Sequence, residues 1–318
     1  MEKYLLGIDL GGTTIKFGLI DTHGTIVTQW SVPTNVSNNG EIIVPDMIAS
    51  IEAVLEQSKL TTANLIGAGM GCPGTVDRVN GTVHHAFNLG WEAPQRVKQR
   101  FQEALGIPLF LENDANVAAL GEKWRGSGND AANLVFITLG TGVGGGVIID
   151  HQIVAGVGGA GGEIGHFPIA CQHQLTCTCG NTNCLETLAS ATGIVHLAEM
   201  YRQGTTTTLN QYENLTCEIV FQEAQSGDEL AIGIIEEVAE YLGMTCSMIA
   251  NLLNPEATII GGGVSAAKAF LLNKIAAYYQ QTVFPSVRSS TKLKLATLGN
   301  EAGILGAAYL AKEGITHV

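Results

Sequence analysis

The sequence predicts an α/β protein of two similar lobes, and three observations predict it. The chain has 318 residues, beyond the ~250–300 at which one hydrophobic core stops growing, so two domains around a cleft are expected. Apolar runs that read as strands alternate with segments of helical period along its length. One pattern also occurs twice: residues 8–21, IDLGGTTIKFGLID, are matched without a gap by residues 137–150, ITLGTGVGGGVIID. Each copy reads as strand, glycine turn, strand, ending in Asp21 or Asp150, with His23 or His151 just beyond. That is the mark of an internal duplication, with both glycine turns directed into one cleft.

The elements follow in order. Tyr4–Ile8, Ile15–Ile20 and Thr25–Trp30 read as strands, joined by turns at Gly11-Gly12 and His23-Gly24. Ile48, Ile51, Val54 and Leu55 mark a helix. Leu65–Met70 reads as a buried strand running into Gly71-Cys72-Pro73-Gly74. A helix near Pro94–Leu105, a short strand Leu109–Leu111 and a helix from about Asp114 to Trp124 complete the first half. In the second half a long helix, Asp228–Leu253, carries an apolar stripe through Ile234, Val238, Tyr241, Leu242, Ile249 and Leu252, and Asn254-Pro255 stops it. A strand Ala257–Ile260 leads through Gly261-Gly262-Gly263-Val264-Ser265 into a helix, and a last helix covers about Ala302–Ala311.

Bulk composition narrows the function. With 46% apolar and 14% charged residues the chain buries a large core and is not disordered. A net charge of −13 repels a phosphate backbone, so no nucleic-acid partner is expected. Met1-Glu2-Lys3-Tyr4 runs straight into a strand without a cleavage-site pattern, and no apolar run reaches the roughly 20 residues that span a bilayer. A cytoplasmic protein with no membrane partner is therefore expected. In that compartment the odd number of cysteines, seven, three of them within eight residues, suggests metal before disulfides.

Phosphate needs closely spaced backbone N–H groups, which glycine leaves unobstructed. Three clusters offer this, at residues 11–12, 140–146 and 261–263, the last leading toward a helix N-terminus. Residues 140–145 match G-x-G-x-x-G, but a strand follows where a dinucleotide fold needs a helix. No G-x-x-x-x-G-K-[ST] occurs, so this is not a P-loop protein. The first turn carries Asp9 before it, Thr13 and Thr14 within it and Lys16 after it. An acid holds magnesium through water, hydroxyls donate to phosphate and a lysine neutralises it. The second copy has Thr138 in place of Asp9, which suits one metal held from one side.

The strand–DxGGT–strand opening, the LGTGVGGG turn and the late GGGVS turn resemble the sugar kinase, actin and hexokinase superfamily. The resemblance implies two duplicated actin/hexokinase-like lobes with mixed sheets flanked by helices, clamping ATP. Gly11, Gly12, Thr13, Thr14, Lys16, Gly140, Thr141, Gly142, Gly262 and Gly263 would bind the nucleotide, with Asp9 on Mg2+.

Residues 112–116, ENDAN, join a strand to a helix. Asp114 there reads as a plain helix cap or as the carboxylate that accepts a hydroxyl proton during phosphoryl transfer. The segment resembles the sugar-kinase catalytic motif, which implies Asp114 as base and sugar contact and Asn113 as a sugar ligand. Residues 177–184, CTCGNTNC, place three thiolates in one loop, able to share a tetrahedral zinc with a histidine. Spacing leaves His166 and His173 both open. The text GGEIGH at 161–166, the cysteine loop and Leu185-Glu186-Thr187 resemble the ROK family (repressors, open reading frames and kinases). That resemblance implies His166 as fourth ligand beside Cys177, Cys179 and Cys184, a closed structural Zn2+ site. It also implies His166, Glu163 and Glu186 as sugar contacts. Gly71–Gly74 and Asn88-Leu89-Gly90-Trp91 resemble the family's other sugar-side loops.

The resemblance covers nearly the whole chain and is strongest to the glucokinases of Gram-positive bacteria. It implies ATP-dependent phosphorylation of glucose to glucose 6-phosphate. Fructose or an N-acetylated mannosamine or glucosamine are the alternatives within the class. A sugar-responsive repressor or an inactive sugar sensor are those outside it. The repressors carry a helix-turn-helix before DxGGT, for which Asp9 leaves no room, and the intact Asp114 argues against the sensor. A homodimer or homotetramer is implied. The expected division is 1–116 plus 300–318 as N-terminal lobe and 117–299 as C-terminal lobe with the zinc loop.

Overall fold

The computed structural model describes residues 2–264 and 269–316, so Ser265 of the third glycine cluster lies outside the described residues. By contacts the chain divides into two units. One is Met1–Asp130, Ala155–Gly161 and Leu298–Val318; the other is Ala131–Val154 and Gly162–Thr297. The protein is α/β, with a mixed five-stranded sheet in each unit flanked by helices. No helix among the described residues is long and apolar enough to cross a membrane.

The first unit begins with β1 (Tyr4–Leu10), β2 (Thr14–Ile20) and β3 (Ile26–Pro33), an antiparallel meander. Helix α1 (Ile43–Gln57) leads to β4 (Leu65–Cys72), which lies parallel to β1. A small hairpin, β5 (Thr75–Asp77) and β6 (Thr82–His84), precedes α2 (Val97–Leu105). Strand β7 (Leu109–Asn113) then runs directly into α3 (Asp114–Trp124). The order is β3-β2-β1-β4-β7. Helix α2 starts later than the apolar pattern suggests, because the Gln95 N–H pairs at 2.8 Å with the Val83 carbonyl and holds Pro94-Gln95 extended. β4 and β7 run further than expected because Cys72 pairs with Asn113. That pairing carries the β7–α3 junction to the end of the sheet, where parallel α/β sheets place ligands.

The C-terminal helix, Ala302–Thr316, belongs to this unit and packs on β1, β4 and α3. The close packing has a sequence cause. A Cβ on Gly69 would lie 1.8 Å from the Ala307 carbonyl oxygen, and one on Gly306 would lie 1.7 Å from that of Val117. The opposite sheet face buries Met47, Ile51, Val97 and Phe101 from α1 and α2.

The second unit repeats the plan. Strands β8 (Leu134–Leu139), β9 (Val143–Ile149) and β10 (Gln152–Ile153) form the meander. Helices α4 (Leu185–Ala189), α5 (Ala191–Tyr201), α6 (Cys217–Ser226) and α7 (Glu229–Leu253) follow, then β11 (Ala257–Gly261). Helices α8 (Ala269–Thr282) and α9 (Pro285–Ser290) precede β12 (Lys292–Leu295). The order β10-β9-β8-β11-β12 repeats that of the first sheet strand for strand, with β8 and β11 parallel like β1 and β4.

Three expectations need correction. The copies do not align without a gap. Asp9 faces Lys16 across β1–β2, whereas Thr138 faces Gly144 across β8–β9, so the second turn is one residue shorter. The turn bonds agree: Gly11 N–H reaches Thr14 O, and Gly140 N–H reaches Gly142 O. Glycines on both sides of the second turn hide the missing residue in a sequence comparison. In α7, Ile234, Val238, Leu242 and Ile249 are buried, but Leu252 is 81% exposed. At about 100° per residue Ile249 stands ~20° from Leu242 and Leu252 ~80° from it, off the core stripe. Asp228 is the cap and not the first residue of α7: its carboxylate accepts the Ala231 N–H at 2.8 Å.

Candidate active site

In the first unit the glycine turn is strapped from outside. The Thr34 hydroxyl donates to the Gly11 carbonyl at 2.6 Å, and the Thr34 N–H donates to Thr13 at 2.9 Å. Asn88 lies against Gly12, where a Cβ would meet its Nδ2 at 3.0 Å. Asp9 and Lys16 form an ion pair at 3.6 Å, and Lys16 Nζ also reaches Asn300 Oδ1 at 3.5 Å. Burial pushes the Asp9 carboxyl above its ordinary value and Lys16 pulls it back. The first turn of the C-terminal helix abuts this acid: a Cβ on Gly303 would lie 2.6 Å from Asp9 Cγ. Asp9, Gly11–Thr14 and Lys16 thus share one hairpin end. Thr34 and Asn88 were not singled out for this turn in the sequence, since both act on it from distant loops.

The β7–α3 junction resolves the role of its two polar residues in the helix. Asn113, not Asp114, is the cap: its backbone is extended and its Oδ1 accepts the Ala115 N–H at 2.9 Å. Asp114 occupies the first helical position and is exposed, and its Oδ1 also accepts the Ala115 N–H, at 2.8 Å. Behind them lies Glu112, 2% exposed. Its Oε1 accepts the Asn113 N–H at 2.8 Å and Asn116 Nδ2 at 2.9 Å, and its Oε2 pairs with Arg78. The expected sugar-side loop residue Trp91 is buried, donating from Nε1 to the Gly40 carbonyl at 3.0 Å.

In the second unit the turn at Gly140–Gly142 is tied to the start of α5. Ala191 N–H donates to Gly140 at 2.8 Å, and the Thr192 hydroxyl donates to Thr141 at 2.9 Å. Gly262 folds back on the end of β8 with φ +85°. A Cβ there would sit 2.4 Å from the Leu139 carbonyl oxygen, so only glycine serves. Gly140, Thr141, Ala191, Phe221, Gln222 and Gly263 line part of a cavity of about 560 Å³. Helix α6, which supplies Phe221 and Gln222, has its own sequence signal. Thr216 caps it by accepting the Ile219 N–H at 3.2 Å, and Gly227 ends it in the left-handed conformation.

His166, Cys177, Cys179 and Cys184 converge, with their ligand atoms all within 4.8 Å of one another. A tetrahedral ion about 2.3 Å from sulfur and 2.0–2.1 Å from nitrogen spaces S···S by ~3.8 Å and S···N by ~3.6 Å. Cys179 and Cys184 Sγ are 3.6 Å apart, and Cys177 Sγ is 3.6 Å from His166 Nδ1. The first distance far exceeds the ~2.05 Å of a disulfide. The four groups fit a closed tetrahedral metal site. His173 is not among them: its Nε2 is 2.7 Å from Glu237 Oε1 and 3.2 Å from the Tyr201 hydroxyl. The other ring nitrogen of His166, Nε2, lies 3.8 Å from Glu163. Glu186 Oε2 accepts the Val143 N–H at 3.0 Å, and Oε1 is 3.9 Å from Cys177 Sγ. A Cβ on Gly142 would meet the same carboxylate at 2.4 Å. So Glu163, His166, Glu186 and the cysteines form one cluster that touches the β8–β9 turn.

Comparison with known proteins agrees with this geometry. Residues 5–314 match the model of the ROK family. A glucokinase of Halalkalibacterium halodurans is 39% identical over 98% of this chain and 96% of its own. A xylose repressor of Caldicellulosiruptor bescii is 31% identical over 95% of this chain and 76% of its own. A ROK family glucokinase from Streptomyces griseus, solved in complex with glucose and AMPPNP, superposes with a TM-score of 0.79. It is 31% identical and covers 98% of this chain and all of that one. With the fold, the doubled glycine turn and the Cys3His cluster all in one chain, this protein belongs to the ROK family.

Proposed function

We propose that the protein is an ATP-dependent glucokinase that converts glucose to glucose 6-phosphate. The observation that carries the reading is the β7–α3 junction, which presents an exposed Asp114 beside Asn113 in a chain with two phosphate-type glycine turns. The similarity to glucokinases supports the same activity.

Asp114 accepts the proton of the glucose 6-hydroxyl as that oxygen bonds to the γ-phosphorus. The bond from that phosphorus to the β-γ bridging oxygen breaks, and ADP leaves. Asn113, whose Oδ1 is engaged in the cap, keeps Nδ2 for a sugar hydroxyl. Glu163, His166 and Glu186 accept or donate to the remaining hydroxyls. Gly11–Thr14 and Lys16 bind the phosphates, with Gly140–Gly142, Gly262 and Gly263 completing the nucleotide contacts. The cavity beside Gly140 is of a size for small ligands and takes the adenosine end. Asp9 would hold Mg2+ through water, which neutralises charge on the transferring phosphoryl group when bound. His166, Cys177, Cys179 and Cys184 would hold a structural Zn2+ that fixes the ring of His166 and, through Cys184 and Leu185, the start of the helix bearing Glu186. A cytoplasmic enzyme acting as a homodimer or homotetramer fits this reading.

A coupled ADP-release assay over glucose, fructose, mannose and the N-acetylhexosamines tests it. Glucose gives the highest kcat/KM. Turnover of none of these sugars sinks the kinase reading, and preference for another hexose replaces glucose. Metal analysis tests the cluster. The purified protein carries one zinc per chain, and Cys184→Ser carries well under one. That variant also raises the glucose KM by about tenfold or more, on the scale of losses in residues that orient a site. A zinc-free parent protein of full stability would disprove the site.

A further inference from the structure

We propose that the Arg78–Glu112 ion pair is a positioning device for the catalytic segment: Glu112 fixes the strand–helix junction that presents Asn113 and Asp114, and Arg78 fixes Glu112. Its catalytic consequence rests on the kinase reading above; its structural consequence does not.

Three observations carry it. First, Glu112 is an acid at 2% exposure, a burial that carboxylates tolerate only when paired. Its bonds bracket Asp114. The same Oε1 takes the backbone N–H of Asn113 on one side and the side-chain amide of Asn116 on the other, while Oε2 meets the guanidinium of Arg78. Charge-assisted bonds of this kind are the strong ones, so the carboxylate pins both the last strand residue and the first turn of α3.

Second, the arrangement is poor as a stabiliser. A buried ion pair is often no better than apolar residues of the same volume. Asn116 adds a cost of its own, because its Oδ1 is buried without a partner. Turning the amide over would not help, since it would set that oxygen against the Glu112 carboxylate. A buried acceptor is left unsatisfied so that Nδ2 can hold Glu112. Unsatisfied buried groups of this sort are rare enough to need a reason.

Third, the turn that bears Arg78 is itself fixed. Arg78 sits in the β5–β6 turn, which Asp77 closes by accepting the N–H groups of Val79 and Asn80 at 3.0 and 2.9 Å and the Asn80 amide at 2.7 Å. The Arg78 side chain, 36% exposed, lies against Glu112 and opposes the effect of burial on that carboxyl. A further titratable neighbour is the Cys72 thiol, which donates to the Glu112 carbonyl at 3.5 Å and which burial, with Asp114 and Glu112 nearby, keeps protonated.

The test compares Arg78→Met, Glu112→Gln and the conservative Arg78→Lys by hydrogen exchange and by kinetics. In Arg78→Met and Glu112→Gln the Asn113 amide exchanges at least ~10-fold faster, while amides of residues 134–149 keep the parent rate. In the same variants kcat falls at least ~10-fold with the ATP KM within about twofold, a loss confined to the transition state. Arg78→Lys recovers part of both effects. Unchanged exchange at Asn113 overturns the proposal, as does a kcat loss that merely tracks the fraction unfolded. If the parent protein phosphorylates no sugar, the kinase reading fails, and the exchange result still decides whether the pair positions the segment.

Discussion

Replacing Asp114 by Asn lowers kcat for glucose by about 10²–10⁴-fold, the usual contribution of a positioned general base, while the protein still melts with the parent. Both halves of this expectation come from the same junction. Asn keeps the shape of the side chain but cannot accept the hydroxyl proton at the moment of attack, so the loss falls on kcat and leaves ATP binding nearly unchanged. Stability is spared because the helix cap is Asn113, because Asp114 is exposed, and because an asparagine Oδ1 still accepts the Ala115 N–H that Asp114 Oδ1 takes at 2.8 Å. Asn113→Ala is the informative contrast. It removes the cap, at about 1 kcal/mol, and a sugar contact together, so both the melting temperature and the glucose KM move. The measurement is steady-state kinetics beside a thermal melt for each variant. Turnover of Asp114→Asn within tenfold of the parent, in folded protein, removes Asp114 from the role of base.

That separation of roles was only half legible in the sequence. An acid at the start of a helix reads as a cap or as a base, and residue type alone does not choose. One backbone angle pair places the cap, Asn113 being extended and Asp114 already helical, and leaves the base to the kinetic test above. The doubled strand–turn–strand pattern, by contrast, was plain, because strand pairing demands apolar residues at every other position and the turn demands glycine in both copies. Its one-residue slip was not, since glycines at 144, 145 and 146 present no side chain by which to set the register. Spacing left His166 and His173 both open, the ROK resemblance favoured His166, and the placement of His166 among the cysteines agrees with it. Glu112 was invisible as a structural centre for another reason. A glutamate ending a strand reads as solvated unless its cation is known, and Arg78 comes from a hairpin 34 residues earlier. Side chains that act on a neighbouring residue's backbone leave no spacing pattern to find.

Gly306→Ala destabilises the first unit by about 3 kcal/mol or more, the upper range for overpacking, and lowers the melting temperature by roughly 6–12 °C. Two effects compete. Alanine is the better helix former by about 0.5–1 kcal/mol, so propensity alone predicts a gain. Against it, the new Cβ would lie 1.7 Å from the Val117 carbonyl oxygen and 2.7 Å from the Gly121 nitrogen, both backbone atoms of α3. No rotamer relieves that contact, so the C-terminal helix must back away from α3. It cannot do so alone, because its Ile304 and Ala307 carbonyls lie just as tightly over Gly7 of β1 and Gly69 of β4. Gly233→Ala supplies the control: this glycine lies within α7, and its Cβ would meet nothing within 4 Å, so the propensity gain stands unopposed. Opposite signs for the two substitutions are the expected result, and equal ones would disprove the packing argument. The same displacement reaches the chemistry. The C-terminal helix places Gly303 against Asp9, and α3 carries Asp114 at its start. Folded Gly306→Ala protein therefore loses kcat as well as stability, although residue 306 lies in neither site. A variant with normal turnover per folded molecule would show that the helix packing and the catalytic geometry are independent.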